Sequence, residues 1–221
     1  MTFSILARDE QTGAIGGAAA TGSLCVGGWV LRGALGAGMS ASQGVAPSTF
    51  WGEDVLTLMR EGVPPDEAIA RIVRQDRGRE WRQLSALSES GEGSAFTGAR
   101  NGEAKGHLVF EGGVAAGNML TDTSVLTAMM ERFCNARGPL DERLMLALEA
   151  AAAAGGDHRG VQSAALLVLG PDRPPLTLRI DFHPNDPLGA LRELHRRATT
   201  GEYAKWLRHV PTATDRERGV E

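Results

Sequence analysis

The chain lacks most of the signals from which functional sites are read. Its only cysteines, Cys25 and Cys134, form no Cys-x-x-Cys pair and show no metal spacing, so they read as structural thiols of a reducing compartment. Positive charge is not in excess: 23 Lys and Arg stand against 27 acidic residues, a net charge of -4, so neither nucleic acid nor a membrane is expected as partner. No basic segment precedes an apolar run at the start. Outside the glycine-broken stretch 13–38 there is no uncharged apolar span of 18 residues, and a cytoplasmic location is expected. A phosphate-binding loop and a dinucleotide fingerprint are also missing, since Gly33, Gly36 and Gly38 lie inside an expected hairpin. No cofactor is expected.

What the chain has in quantity is glycine. Many of its 29 glycines fall in the first 45 residues, alternating with alanine and small hydrophobes. Such strands bury little apolar area each and depend on close packing of sheets. With 221 residues, one layered α+β domain over 1–210 is expected, followed by a flexible polar tail over 211–221.

The first hairpin is expected from strands 3–8 and 14–20 around Asp9-Glu10-Gln11-Thr12-Gly13. A second, 24–31 with 34–41, turns at Arg32-Gly33, and the four strands are expected to form one antiparallel sheet. Helical spacing follows up to Gly62, and a second helix starts at Pro64-Pro65-Asp66. Strands are expected at 82–88, 94–98 and in two pieces over 107–115. Helices follow at 124–135 and 140–154, strands at 163–169 and 176–182, and a last helix from Pro187 to about Leu207. Counting layers gives helices, sheet, sheet, helices.

Polar residues collect where these elements end. Thr2 opens the first strand, and loss of Met1 would leave a hydroxyl and a free α-amine on one residue, a nucleophile carrying its own base. Alternation puts Ser4 on the same face, either beside the nucleophile or bonded to backbone. Ser42 and Gln43 stand where a glycine-rich strand stops, either as a turn or against substrate or the α-amine. Gly117-Asn118 offers an N–H and an amide for an oxyanion hole, or a turn cap. Between a helix stop and a strand lie Asp157, His158, Arg159, Gln162 and Ser163. Arg159 is suited to clamp a carboxylate with Asp157 orienting it, or the two brace the loop, while alternation turns His158 toward water. Asp181 and His183 with Asp186 raise the question of a metal, but one histidine at this spacing is too little, and no metal is expected.

The opening Thr2-Phe3-Ser4-Ile5-Leu6-Ala7-Arg8-Asp9, the stretch Ala41-Ser42-Gln43, Gly117-Asn118-Met119-Leu120, the run from Gly155 to Ala165, and Asp181-Phe182-His183-Pro184 resemble a bacterial family catalogued as domain of unknown function 1028. The resemblance spans roughly residues 2–195. The family is similar to the N-terminal-nucleophile hydrolases, which implies a four-layer αββα sandwich of two antiparallel sheets flanked by helices. It also implies a possible amide-cleaving threonine. Carried over by residue, the candidates are Thr2, Asn118 and Asp157 for catalysis and Ser42, Gln43, Arg159, Gln162 and Ser163 for substrate. Ala116 and Phe182 depart from the family pattern.

Two functions follow as expectations. The first is an amidohydrolase for a small, carboxylate-bearing molecule, in which Thr2 attacks and Asn118 holds the oxyanion. The second is a non-catalytic binding or scaffold protein of the same fold. Two helical layers leave a homodimer plausible in either case.

Overall fold

Asp9 makes the first turn. Its side chain accepts from the N–H and hydroxyl of Thr12, both at 2.9 Å, and its carbonyl accepts from Gly13. The computed structural model describes residues 2–156 and 159–219, and in it this turn joins β1 (Thr2–Arg8) to β2 (Ile15–Thr21). A helical turn α1 (Val26–Trp29) leads to β3 (Leu31–Ala34) and β4 (Gly38–Gly44), then to helices α2 (Thr49–Arg60) and α3 (Pro65–Gln75). Strands β5 (Arg82–Leu87), β6 (Gly93–Thr97), β7 (Gly106–Phe110) and β8 (Gly113–Asn118) follow, then α4 (Ser124–Asn135) and α5 (Leu140–Ala153). The chain closes with β9 (Ser163–Gly170), β10 (Arg173–Ile180), α6 (Pro187–Thr199) and α7 (Gly201–Trp206).

These elements form an α+β fold of two antiparallel sheets flanked by helices. The larger sheet runs β10-β9-β2-β1-β8-β7 and the smaller β3-β4-β5-β6. Three apolar cores separate the layers. Phe3, Ile5 and Ala7 of β1 meet Leu144, Met145 and Leu148 of α5 on one side of the larger sheet. Leu6, Ile15 and Ala19 meet Met39, Ala41 and Leu87 between the sheets. Trp51, Val55 and Met59 of α2 cover Leu84 and Ala86 of β5 on the outer side of the smaller sheet. Fully burying a Phe, Leu or Ile is worth about 1.5–3 kcal/mol. The strict alternation along β1 therefore fixes which of its residues face the gap: Thr2, Ser4 and Leu6.

Several expectations are corrected. The first four strands do not form one sheet, because β1 and β2 belong to the larger and β3 and β4 to the smaller. The expected strand 24–31 is replaced by α1 and the start of β3, and the turn moves from Arg32-Gly33 to residues 35–37. Cys25, at φ 59, starts α1 in the left-handed region, which no apolar pattern announces. The last expected helix breaks at Thr200, whose extended backbone separates α6 from α7. Apart from these corrections, Thr214 donates to the Pro171 carbonyl and to Asp172 in the β9–β10 turn, and Thr212 is buried. Among the described residues no helix is long and apolar enough to cross a membrane.

Candidate active site

Four strand ends of the larger sheet align at one level. Thr2 is paired on one side with Thr21 and on the other with Asn118, and Thr21 is paired in turn with Ser163. A row Ser163, Thr21, Thr2, Asn118 thus crosses the sheet, and all four residues are buried. The Thr2 hydroxyl donates to Thr21 Oγ1 at 3.1 Å.

Opposite this row, across the gap, β4 and β5 contribute Gln43 and Gln83. Gln83 is fully buried, and its orientation follows from its neighbours. Its Nε2 lies 2.9 Å from the Gly106 carbonyl and 3.0 Å from that of Gly117. Carbonyl oxygens only accept, so this end must be the amide nitrogen. Gln83 Oε1 then accepts from Gln43 Nε2 at 2.7 Å and from Asn118 Nδ2 at 3.1 Å. Gln43 and Asn118 consequently spend their NH₂ ends on Gln83, and their own oxygens are left over. Gln43 Oε1 and Asn118 Oδ1 are buried with no hydrogen-bond partner among the described residues. Gln43 also donates to the Thr2 carbonyl at 3.4 Å, which sets it beside the strand end. Ser4 Oγ, one pleat further in, has no partner among the described residues either. Buried acceptors without donors are uncommon and costly, about 1–3 kcal/mol each.

The far side of Gln83 reaches the surface. Its Nε2 lies 2.8 Å from Thr97 Oγ1, which is 2.9 Å from His107 Nδ1. Burial pushes the pKa of His107 below its ordinary value and favours the neutral ring.

A cavity of about 390 Å³ opens over this floor, with Thr2, Thr21 and Gln43 in its lining and Val26, Trp29, Val45 and Arg159 around them. Its walls are placed by special backbone. Met119, also in the lining, has φ 52, and its N–H is held by the Asn101 carbonyl at 2.9 Å. Fully buried Asn101 accepts from Val45 N–H at 3.0 Å and donates to the carbonyls of Arg82 and Gly98. Gly44 precedes Val45 at φ 138, and a Cβ there would stand 2.5 Å from the Trp81 carbonyl. On the opposite wall, a Cβ on Gly27 would come 2.7 Å from Ala165 Cβ, so glycine lets α1 lie against β9. Clefts of about 800 and 1030 Å³ lie elsewhere, one beside α2 and α3 and one at the opposite end of β1.

The structure brings together Thr2, Gln43, Asn118 and Arg159 from the expected set. It separates Ser42, because the pleat turns adjacent residues apart: Ser42 Oγ donates to the Ser48 carbonyl at 2.6 Å on the helix side, while Gln43 faces the gap. Ser163 Oγ donates to the Ser23 carbonyl and accepts from Val26 N–H, which braces the loop into α1. Gln162 joins the Thr21 carbonyl to the His183 N–H through its backbone. Asp157 and His158 lie outside the described residues. His183 Nδ1 accepts from the Asp186 N–H at 2.8 Å, and Asp186 accepts from Gly189 N–H as the cap of α6. Among the described residues no group of three or more His, Cys, Asp or Glu is placed to hold a metal ion.

Gln83 and Thr21 were missed from sequence. Gln83 sits in an ordinary strand pattern, and the only available sign was a long polar side chain on the gap side of a buried strand. Thr21 ends a run of small residues and becomes visible only through its register with Thr2.

Fold and site together define a two-sheet α+β protein with a threonine at a buried strand end, flanked by an amide network. The chain belongs to the family of unknown function DUF1028, whose model matches residues 2–191. It is similar to the crystal structure of protein SPO2555 from Silicibacter pomeroyi, with 58% identity, 100% of this chain and 99% of that chain covered, and a TM-score of 0.96. No curated protein matches the chain.

Proposed function

We propose that the protein is an amidohydrolase of the N-terminal-nucleophile kind, with Thr2 as nucleophile and a small, carboxylate-bearing amide as substrate. The observation that carries this reading is the pair of leftover acceptors, Gln43 Oε1 and Asn118 Oδ1, beside Thr2.

A neutral α-amine has two N–H bonds and one lone pair. Once Met1 is removed, two carbonyl acceptors can hold the two N–H bonds of Thr2, which leaves the lone pair for the proton of its own hydroxyl. An α-amine has a pKa of about 7.7–8.0, so a useful fraction is neutral near pH 7. Thr2 Oγ1 then attacks the amide carbon, and the amine passes the proton to the departing nitrogen. Water releases the acyl group from the resulting ester. Asn118 takes the part of amine holder in place of the oxyanion role read from sequence, because its NH₂ end is drawn to Gln83. The oxyanion falls to backbone N–H groups near the end of β8. Arg159, on the cavity, supports recognition of a carboxylate.

Intact mass of the native protein tests the first requirement, a chain lacking Met1. Electrophilic amide or lactone probes followed by peptide mapping test the second. Labelling is expected on Thr2 and absent in Thr2→Ala. Labelling that persists in Thr2→Ala, or a fully processed chain that no probe in a broad panel labels, overturns the reading in favour of a non-catalytic binding protein.

A further inference from the structure

One pleat below Thr2, the gap between the sheets is walled by small side chains. On the larger sheet Ser4 is paired with Ala19 and Ala116, and on the smaller sheet Ser85 is paired with Ala41 and Ala95. All six face the gap, because Leu6, Ala19, Met39, Ala41 and Leu87 pack there while Ile5, Ala115, Leu84, Ala86 and Phe96 face the helical layers. Longer side chains stand on either side of this layer: Gln43, Gln83 and Asn118 above it, Leu6, Met39 and Leu87 below. Stacked sheets lie about 10 Å apart, a distance that serine and alanine only partly span. Small residues alone are ordinary packing; the two hydroxyls are not. Ser4 and Ser85 are each 1% exposed, and neither Oγ has a hydrogen-bond partner among the described residues. The leftover Gln43 Oε1 and Asn118 Oδ1 belong to their diagonal neighbours, since Ser85 pairs two residues before Gln43 and Ser4 two residues before Asn118. Diagonal positions are about 7–8 Å apart at Cα, which suits a bridging water better than a direct bond from a short side chain.

We infer that this layer is a binding site for one buried water shared by Ser4, Ser85, Gln43 and Asn118. A water has two O–H bonds and two lone pairs, and the four leftover atoms are its complement: two hydroxyls that donate and two carbonyls that accept. Ser4 and Ser85 donate to the water oxygen, and its hydrogens go to Gln43 Oε1 and Asn118 Oδ1. A cation matches the set less well. It would leave both hydroxyl protons without an acceptor, and the six residues of the layer include no carboxylate to offset a buried charge. A dry gap is costlier still, because four buried polar groups would have lost their hydrogen bonds to solvent with nothing in exchange. The water joins β1 and β8 to β4 and β5 directly below the strand ends. Each carbonyl oxygen has two lone pairs, so one remains for the α-amine of Thr2, and the water site holds whether or not Thr2 reacts.

A high-resolution crystal structure of the unmutated protein tests the site directly. A density peak is expected within hydrogen-bond distance of both Ser4 Oγ and Ser85 Oγ. No peak there would overturn the inference, and so would an anomalous peak in crystals soaked with rubidium, which would assign the site to a cation. Urea unfolding gives a second, independent reading. Deleting a hydroxyl that holds the water breaks a hydrogen bond, so Ser4→Ala and Ser85→Ala should each lower the urea midpoint by about 0.3–1 M. Deleting a hydroxyl from a dry gap instead relieves a desolvated group, so a raised midpoint in either variant would overturn the inference. Because one water serves both serines, the double variant Ser4→Ala/Ser85→Ala should lose less than the two single losses added together. Losses that simply add would show that the serines share no water, and would overturn it as well.

Discussion

Thr2 owes its surroundings to a residue that does not touch it. Gln83 is held at one end by two backbone carbonyls, and this alone decides which ends of Gln43 and Asn118 it takes. Gln83→Met keeps most of the volume and removes the fixed amide. It strands the Gly106 and Gly117 carbonyls and frees Gln43 and Asn118 to turn. The expected loss of stability is about 2–4 kcal/mol, visible as a lower urea midpoint. In protein that remains folded, probe labelling of Thr2 should slow, because the acceptors beside it are no longer held in place. A purely structural role would leave the labelling rate of the folded fraction unchanged.

At the scale of elements, α1 sets the cavity's width. It lies against β9 because Gly27 has no Cβ to meet Ala165 or the Arg179 stem. Gly27→Ala is expected to cost about 1–3 kcal/mol by overpacking and to lower Tm by roughly 2–10 °C. Since Val26 and Trp29 of α1 line the cavity with Thr2, the same variant should slow probe labelling of Thr2, which peptide mapping would show. Most strands and helices were legible beforehand, because turn residues bound the short runs of β1 and β2, which are buried on both faces, while helical spacing in α4 and α5 reflects one-sided burial. The transition between sheets was not. Residues 22–31 are apolar and glycine-rich whether they extend or coil, and the left-handed Cys25 that starts the coil leaves no periodic trace. The site was legible in the same uneven way. Thr2, Gln43, Asn118 and Arg159 stand at element ends with visible chemistry. Ser42 and Gln43 were read together because sequence shows adjacency, while the pleat sends neighbours to opposite faces. Gln83 depends on a partner 35 positions away in Asn118, a distance no local pattern encodes.

Across the whole molecule, α6 is fastened by charge. His195 Nε2 lies 2.7 Å from Asp141 Oδ2, Arg173 lies 3.3 Å from Oδ1, and Arg192 bridges Glu142 and Glu149. Burial opposes the charged form of Asp141, yet the hydrogen bond to His195 and the Arg173 guanidinium outweigh it and hold the carboxyl below its ordinary pKa. For a lowered pKa the sign is clear: the stabilisation is complete above the unfolded value of about 3.9 and disappears as pH falls through the native value. Asp9 and Asp76 are shifted the same way, with burial again overcome by hydrogen bonds and arginines. Urea midpoints measured from pH 7 to pH 2 should therefore decline below about pH 4. Asp141→Asn should begin lower at pH 7 and show a shallower acid decline.

The strand order also carries a schedule. β1 lies inside the larger sheet between β2 and β8, so the earliest strand to be synthesised acquires its second neighbour only after residue 113 has emerged. At 5–20 residues per second that delay is roughly 5–25 s. During it β1 is an open hairpin edge; afterwards Thr2 is paired on both sides, with Thr21 and with Asn118. Under the function proposed for Thr2, Met1 would be removed in this interval, before the second pairing forms. An aminopeptidase added to folded protein that still carries Met1 should leave it intact and should trim the same chain in urea, with intact mass as the readout. Production that outpaces the cell's trimming capacity would then yield a folded population that is permanently blocked at its first residue.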